Sequence, residues 1–343
     1  MIRRQFIKNT TAYSITGLIC GWNPMLKKNL KDVVIGHNSH QYKVDLSWGQ
    51  LNQQQYPVND CHEMVIDSKG RIILLTNHTQ NNIIIYDQKG KLIEVWGTEF
   101  PGAHGLTLKV ENGEDLLYIS DNNRHEIIKT TIEGKIIQIF PYPKESGKYD
   151  EASQYVPTET AVSDNGDVYV ADGYGLQYIL HYNSQGTLLN VFGGKGNDDH
   201  QFTNAHGICI DNRGDKNILL ITDRMKNQLK RFTLDGKLIS IIDLPGAFIC
   251  RPVIHKDHVY LATIWSGNGA ANSGFISILN KEDQLISAPG GSLPNYQNEQ
   301  LQTMHQTMKI FKHPHDVCVD NEENLYVAQW NAGKSYPIKL LRV

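Results

Sequence analysis

Asn204-Ala205-His206-Gly207-Ile208-Cys209-Ile210-Asp211 sets a histidine five residues ahead of an aspartate, at the mouth of a short apolar strand. The arrangement returns as His62-Glu63-Met64-Val65-Ile66-Asp67 and as His315-Asp316-Val317-Cys318-Val319-Asp320, with a looser copy at His104-Gly105-Leu106-Thr107-Leu108. Most copies run into a glycine-containing turn, such as Asp67-Ser68-Lys69-Gly70 or Asp211-Asn212-Arg213-Gly214. A second, aliphatic strand follows and closes on a small polar residue with Asp or Asn, as in Leu220-Ile221-Thr222-Asp223 and Tyr169-Val170-Ala171-Asp172. Third and fourth strands complete the unit. Short apolar runs cut by Gly and Asp turns read as strands, and no stretch from Tyr42 onward keeps a 3.6-residue period over helical length.

Counting from the histidine position gives His62, His104, Glu159, His206, Pro252 and His315, at spacings of 42, 55, 47, 46 and 63 residues. Six units of roughly 40–50 residues predict an all-β, six-bladed β-propeller. The last unit stops at a third strand ending in Val343, while Tyr42 to Gly49 reads as a fourth strand without a unit. The N-terminal strand is therefore expected to close the last blade and remove an open sheet edge. The expected organisation is an export signal and linker over residues 1–30 and the propeller over residues 42–343. Insertions at 141–155 and 289–308 are expected on a rim, where such loops cover sites.

The 343 residues are 40% hydrophobic and only 20% charged, with 29 glycines, a composition suited to many short strands and tight turns. Net charge is −3, and five basic groups (Arg3, Arg4, Lys8, Lys27, Lys28) lie in residues 1–28 without an acid. The remainder is thus acidic, which excludes the basic face that nucleic acid requires. Arg3-Arg4-Gln5-Phe6-Ile7-Lys8 is a twin-arginine pattern followed by a mildly apolar stretch too short and polar to span a membrane. Export to the periplasm or exterior is the expectation, with no membrane-spanning segment. Ile19 ahead of Cys20 argues against lipid attachment there, which stays open. Cys61, Cys209, Cys250 and Cys318 read most simply as buried small hydrophobes; a disulfide stays open.

In a propeller, residues in one register at the start of the inner strands converge on the axis. Four imidazoles (His62, His104, His206, His315) and the Glu159 carboxylate would then meet at one mouth. That is a nitrogen and oxygen donor set of the kind zinc takes, with three close ligands expected and the others behind them or on substrate.

The repeats resemble NHL repeats. The histidine segments, with Pro157-Thr158-Glu159-Thr160, Ala171-Asp172-Gly173-Tyr174 and Thr222-Asp223-Arg224, resemble the peptidyl-α-hydroxyglycine α-amidating lyases in chain order from about Tyr56 onward. The resemblance implies zinc on His104, His206 and His315. It implies Tyr174 as the catalytic phenol and Arg224 as a cation beside the metal. It also implies a structural calcium on the Asp316 side chain and main-chain oxygens near Leu106 and Met64. The family's second active-site arginine falls near His78, and its methionine before the last zinc ligand falls at His313. His62, Glu159 and His313 are accordingly expected behind the ligands. Gly175 stands where the family carries a cysteine. The implied reaction is cleavage of the C–N bond of a small or peptide α-hydroxy-amide by a monomer. The competing readings are a non-catalytic metal-binding propeller that holds a ligand or partner protein, and a sugar-lactone hydrolase of the related six-bladed type.

Overall fold

The computed structural model describes residues 33–343, so the twin-arginine stretch and Cys20 lie outside the described residues. The turns set the strand pattern. In the hairpin after Ile83–Tyr86, Asp87 Oδ1 accepts the Lys89 and Lys91 amides at 2.9 Å each, and Gly90 takes a left-handed φ of 83°. A register shift falls beside the turn, between Ile85 and Tyr86. A turn followed by a left-handed glycine and a bulge is a favoured hairpin connection. The same device recurs at Asn183 and Gly186, next to the shift at His181/Tyr182.

Six sheets form the propeller. Their inner strands are Cys61–Ile66, Ala103–Glu111, Glu159–Val162, Ala205–Asp211, Ala247–His255 and Pro314–Val319. Second strands such as Ile72–Thr76 are buried at every position, because each sheet has a neighbouring sheet on both faces. Outer strands such as Leu92–Trp96 are half exposed. The core is accordingly divided into six apolar layers, one between each pair of adjacent blades.

The last blade is closed as the sequence predicts. His40–Asp45 pairs antiparallel with Ile338–Arg342, with Tyr42 opposite Arg342 and Asp45 opposite Lys339. A further strand, Val34–His37, pairs outside it, and its His37 amide donates to Ser287 Oγ of the fifth blade at 2.8 Å. The 141–155 insertion forms two short 3-10 turns, Lys144–Ser146 and Ala152–Gln154. The 289–308 insertion forms a hairpin of Tyr296–Gln297 with Gln300–Leu301. No described helix is long and apolar enough to cross a membrane.

Candidate metal centre

A β-bulge places each histidine. Pairing of inner and second strands slips between Cys61 and Glu63, Ala103 and Gly105, Ala205 and Ile208, and Pro314 and Asp316. An inserted residue breaks the in-out alternation and re-aims side chains. His62 and Glu63 therefore both face the axis, as do His315 and Asp316. Glycine follows two of the histidines because neighbouring strands come very close there. A Cβ on Gly105 would stand 2.4 Å from the Thr158 carbonyl oxygen, and one on Gly207 would stand 2.5 Å from Arg251 Cα.

The histidine ring register is corrected in two blades. The third blade pairs regularly, Glu159 with Ala171, without a slip. The start of its inner strand contributes only the Thr158 carbonyl to the histidine layer, and Glu159 lies one layer deeper, beside Arg251. In the fifth blade the slip falls between Ile249 and Pro252, so Cys250, rather than Pro252, joins the histidines.

The four imidazoles pack around one point. Ring centroids lie 4.7 Å apart for His104 and His315, 5.0 Å for His104 and His206, and 4.9 Å for His206 and His315. His62 is equally close, at 4.8 Å from His104 and 4.9 Å from His315, and thus belongs to the cluster rather than behind it. Donor atoms of His62, His104 and His315 lie within 4.8 Å of one another, as do those of His206, Cys250 and His315.

Burial pushes His62 down to about 3 and holds His104, His206 and His315 well below the ordinary imidazole value, with Arg224 adding to the effect at His206. The rings are neutral and offer lone pairs. His104 Nδ1 donates to Thr158 O at 2.9 Å and His315 Nδ1 donates to His62 O at 3.0 Å. Both bonds leave Nε2 as the lone-pair nitrogen, the arrangement by which outer partners orient metal-binding histidines. His315 Nε2, His206 Nδ1 and His62 Nδ1 are buried without a protein partner. Neutral imidazoles with inward, unpartnered nitrogens and a thiol fit a zinc-like ion.

Tyr174 and Arg224 face this cluster. Tyr174 Oη lies 3.2 Å from His104 Nε2 and 3.1 Å from His206 Nε2, and Arg224 Nη2 donates to it at 3.3 Å. Tyr174 is 42% exposed, so the group is reachable from solvent. Arg224 is only 6% exposed, and its Nε donates to Asn204 Oδ1 at 2.8 Å. Its guanidinium lies over the rings of Tyr174 and Trp265, at 5.6 and 5.5 Å. No carboxylate among the described residues forms an ion pair with it. The Tyr174 loop is fixed from below by the Asp172 carboxylate, which accepts the Val156 and Leu176 amides at 2.7 Å and the Tyr149 hydroxyl at 2.9 Å. A side chain at Gly175 would stand 2.1 Å from Asp172 Oδ1, so the glycine is required by this packing.

His78 and His313 are not brought to the cluster. His78 Nδ1 accepts the Gln80 amide at 3.2 Å within its own loop, and its neighbour Asn77 makes the contact to His62 Nε2 at 3.5 Å. His313 accepts the Asn272 amide at 3.0 Å and donates to Asn331 O at 3.3 Å. Both of its nitrogens serve the loops.

Below the histidines lies an ionic layer that the sequence reading did not include. Arg251 Nη2 donates to Met64 O at 2.9 Å and to Asp316 Oδ2 at 2.7 Å. Its Nη1 donates to Leu106 O at 3.1 Å and its Nε to Asp316 Oδ1 at 3.0 Å. Glu63 and Glu159 stand 3.7 and 3.8 Å from the same guanidinium. Glu63 also accepts the Leu106 amide at 2.6 Å. Burial, then mutual repulsion, raises Glu63 well above the ordinary carboxyl value, and burial raises Glu159. Met64 O, Leu106 O and Asp316 are the oxygens that the resemblance assigns to calcium. Here a guanidinium holds all of them, so these residues do not fit calcium. Added calcium or a calcium-selective chelator is expected to leave the thermal unfolding midpoint unchanged; a calcium-dependent rise would show that these oxygens are still open to the ion.

No family model matches the chain. Among curated proteins, it is 26% identical over 269 residues to peptidyl-α-hydroxyglycine α-amidating lyase 1 of Drosophila melanogaster, covering 71% of this chain and 45% of that protein. It is 21% identical over 203 residues to human NHL repeat-containing protein 3, covering 57% of each. The chain spans about half the length of the curated relatives it matches. Among solved structures, it superposes on virginiamycin B lyase from Staphylococcus aureus with a TM-score of 0.56 at 15% identity, covering 88% of this chain and 100% of that one. A gluconolactonase from Xanthomonas campestris gives a TM-score of 0.57 at 12% identity, covering 90% and 95%. At such identities the two structures show the fold alone. The chain is a six-bladed propeller with similarity to NHL repeat proteins and, at modest identity, to the amidating lyases.

Proposed function

We propose that the chain is an exported, metal-dependent lyase that cleaves the C–N bond of an α-hydroxy-amide bearing a carboxylate, such as a peptidyl-α-hydroxyglycine. The observation that carries the reading is Tyr174 Oη, held between His104 Nε2, His206 Nε2 and Arg224 Nη2. The imidazoles of the cluster would hold a zinc-like ion, which when bound would supply Lewis acidity toward the substrate oxygen. Arg224, a buried guanidinium with no carboxylate partner among the described residues, binds the substrate carboxylate through paired N–H donors. Tyr174 Oη takes the proton of the α-hydroxyl group, held in place by the Arg224 Nη2 donor. As that O–H bond is lost, the carbon–oxygen double bond forms and the C–N bond breaks. The amide nitrogen receives the proton that Tyr174 took, and an amide and glyoxylate leave. Asp172 and Gly175 act earlier, by holding the Tyr174 loop against the cluster.

The test is glyoxylate release from N-benzoyl-α-hydroxyglycine by zinc-loaded protein. Tyr174→Phe should lower kcat by roughly 10²–10⁴, the range for a positioned proton-transfer group. Full activity in Tyr174→Phe would remove the assigned base. Absence of glyoxylate from metal-loaded wild type would favour a binding propeller. A sugar-lactone activity in its place would favour the hydrolase reading.

A further inference from the structure

We infer that Cys250 is a metal ligand, so that the centre is a mixed imidazole–thiolate site rather than an all-histidine one. The inference rests on the histidine cluster being a metal centre, and it goes beyond that by naming a donor that the histidine repeat conceals. Cys250 is fully buried and sits within the slipped pairing of the fifth blade, where other blades place histidine. Its Sγ lies within 4.8 Å of donor atoms of both His206 and His315. Two buried nitrogens without protein partners, His206 Nδ1 and His315 Nε2, accompany it. Cys209, Cys318 and Cys61 show no such company and pack in strands or between blades.

The geometry also limits how many ions the cluster holds. His315 belongs to both candidate donor sets. Its Nδ1 is committed to His62 O, so only Nε2 is free, and a neutral imidazole nitrogen with one lone pair binds one ion. A single ion therefore chooses between a set with His62 and His104 and a set with His206 and Cys250. Sulfur favours the second for a thiophilic ion and disfavours magnesium, calcium or manganese. On ligation the S–H bond is exchanged for a sulfur–metal bond and one proton is released to solvent.

The experiment is a cobalt(II) titration of the metal-free chain, followed by absorption. Visible d–d bands report binding, and a near-ultraviolet sulfur-to-cobalt charge-transfer band reports a thiolate ligand. Wild type and Cys209→Ser should show both. Cys250→Ser and Cys250→Ala should keep the visible bands, lose the near-ultraviolet band, and weaken cobalt binding by more than the roughly 10–100-fold that outer partners cost. Visible bands without the near-ultraviolet band in wild type would overturn the assignment of Cys250 and leave the histidine centre standing. The same holds if the band survives in Cys250→Ser. No cobalt spectrum in folded wild type would overturn the metal centre itself, and this inference with it.

Discussion

Arg251→Met should destabilise the propeller by about 3–5 kcal/mol, the cost of removing one partner from a buried ionic cluster. The guanidinium lies at the axis and bonds main-chain oxygens of the first and second blades and a carboxylate of the sixth. Methionine keeps most of the volume, removes the guanidinium from two carbonyl oxygens and leaves the Asp316 carboxylate with only the Met64 amide as donor. Glu63 and Glu159 also lose the nearest cation. Against a total stability of roughly 5–15 kcal/mol, this is a large fraction. Urea unfolding should show the midpoint falling sharply with an unchanged slope. Pairing the change with Asp316→Asn should recover part of the loss, because the stranded charge carries much of the cost. A wild-type midpoint in Arg251→Met would mean that the cluster contributes nothing net to stability.

Acid should unfold the metal-free chain abruptly below about pH 4.5. In the unfolded chain, histidine takes a proton near pH 6.5. In the fold, burial keeps His62 at about 3 and His104, His206 and His315 well below the ordinary value. Below 6.5 the unfolded state therefore binds more protons at these four positions, and stability is lost as pH falls. Carboxyls raised by burial oppose this, Asp121 among them. Burial raises Glu63 and Glu159, and raises Asp172 to about 7, so each contributes stability at low pH that is lost as pH rises through its folded value. Between pH 6.5 and 4.5 the raised carboxyls offset part of the imidazole effect, leaving a shallower profile. Below about pH 4.5 the carboxyls are protonated in both states and their opposition ends. The cluster imidazoles then act without that opposition, joined by His40, held down to about 4, and by His37, His78 and His255, at about 1.4 kcal/mol per pH unit for each buried ring that stays neutral. Thermal midpoints measured in steps from pH 7 to 3.5 should show this bend. Glu63→Gln should steepen the upper part of the profile, and a smooth decline without a bend would show that the four imidazoles do not stay neutral in the fold.

The repeat is legible because turn chemistry is written locally. Asp87 and Gly90 specify a hairpin with no help from distant residues, and the unpaired strand near Tyr42 points to its missing unit. The histidines are legible as well, since one residue type recurs in one register. What the sequence hides is the slip in strand pairing. A bulge is set by how two strands meet, and the Pro245-Gly246 turn ahead of Ala247–His255 marks where the strand starts but not where its pairing slips. Counting to Pro252 therefore passed over Cys250 and Arg251. Glu159 was misplaced for the opposite reason, since its blade has no slip. One signal pointed to Arg251: a charged residue within the apolar run Phe248-Ile249-Cys250-Arg251-Pro252-Val253 must find buried counter-charges. Glu63 and Asp316, each directly after a histidine, were the available partners.

Closure of the last blade has a kinetic consequence. Arg342 Nη1 bonds Gln41 O across 301 positions of sequence. Each of the other blades is made from one continuous stretch of chain and can assemble from neighbouring strands as it emerges. The sixth sheet cannot, because its strand His40–Asp45 must wait for Ile338–Arg342. Such a distant pairing carries the largest loop-closure cost in the molecule and belongs late in folding. Until that step, the outer strand of the nascent sixth sheet and the edge of His40–Asp45 remain open to the wrong partner, so the interval before ring closure is when this chain is most exposed to aggregation.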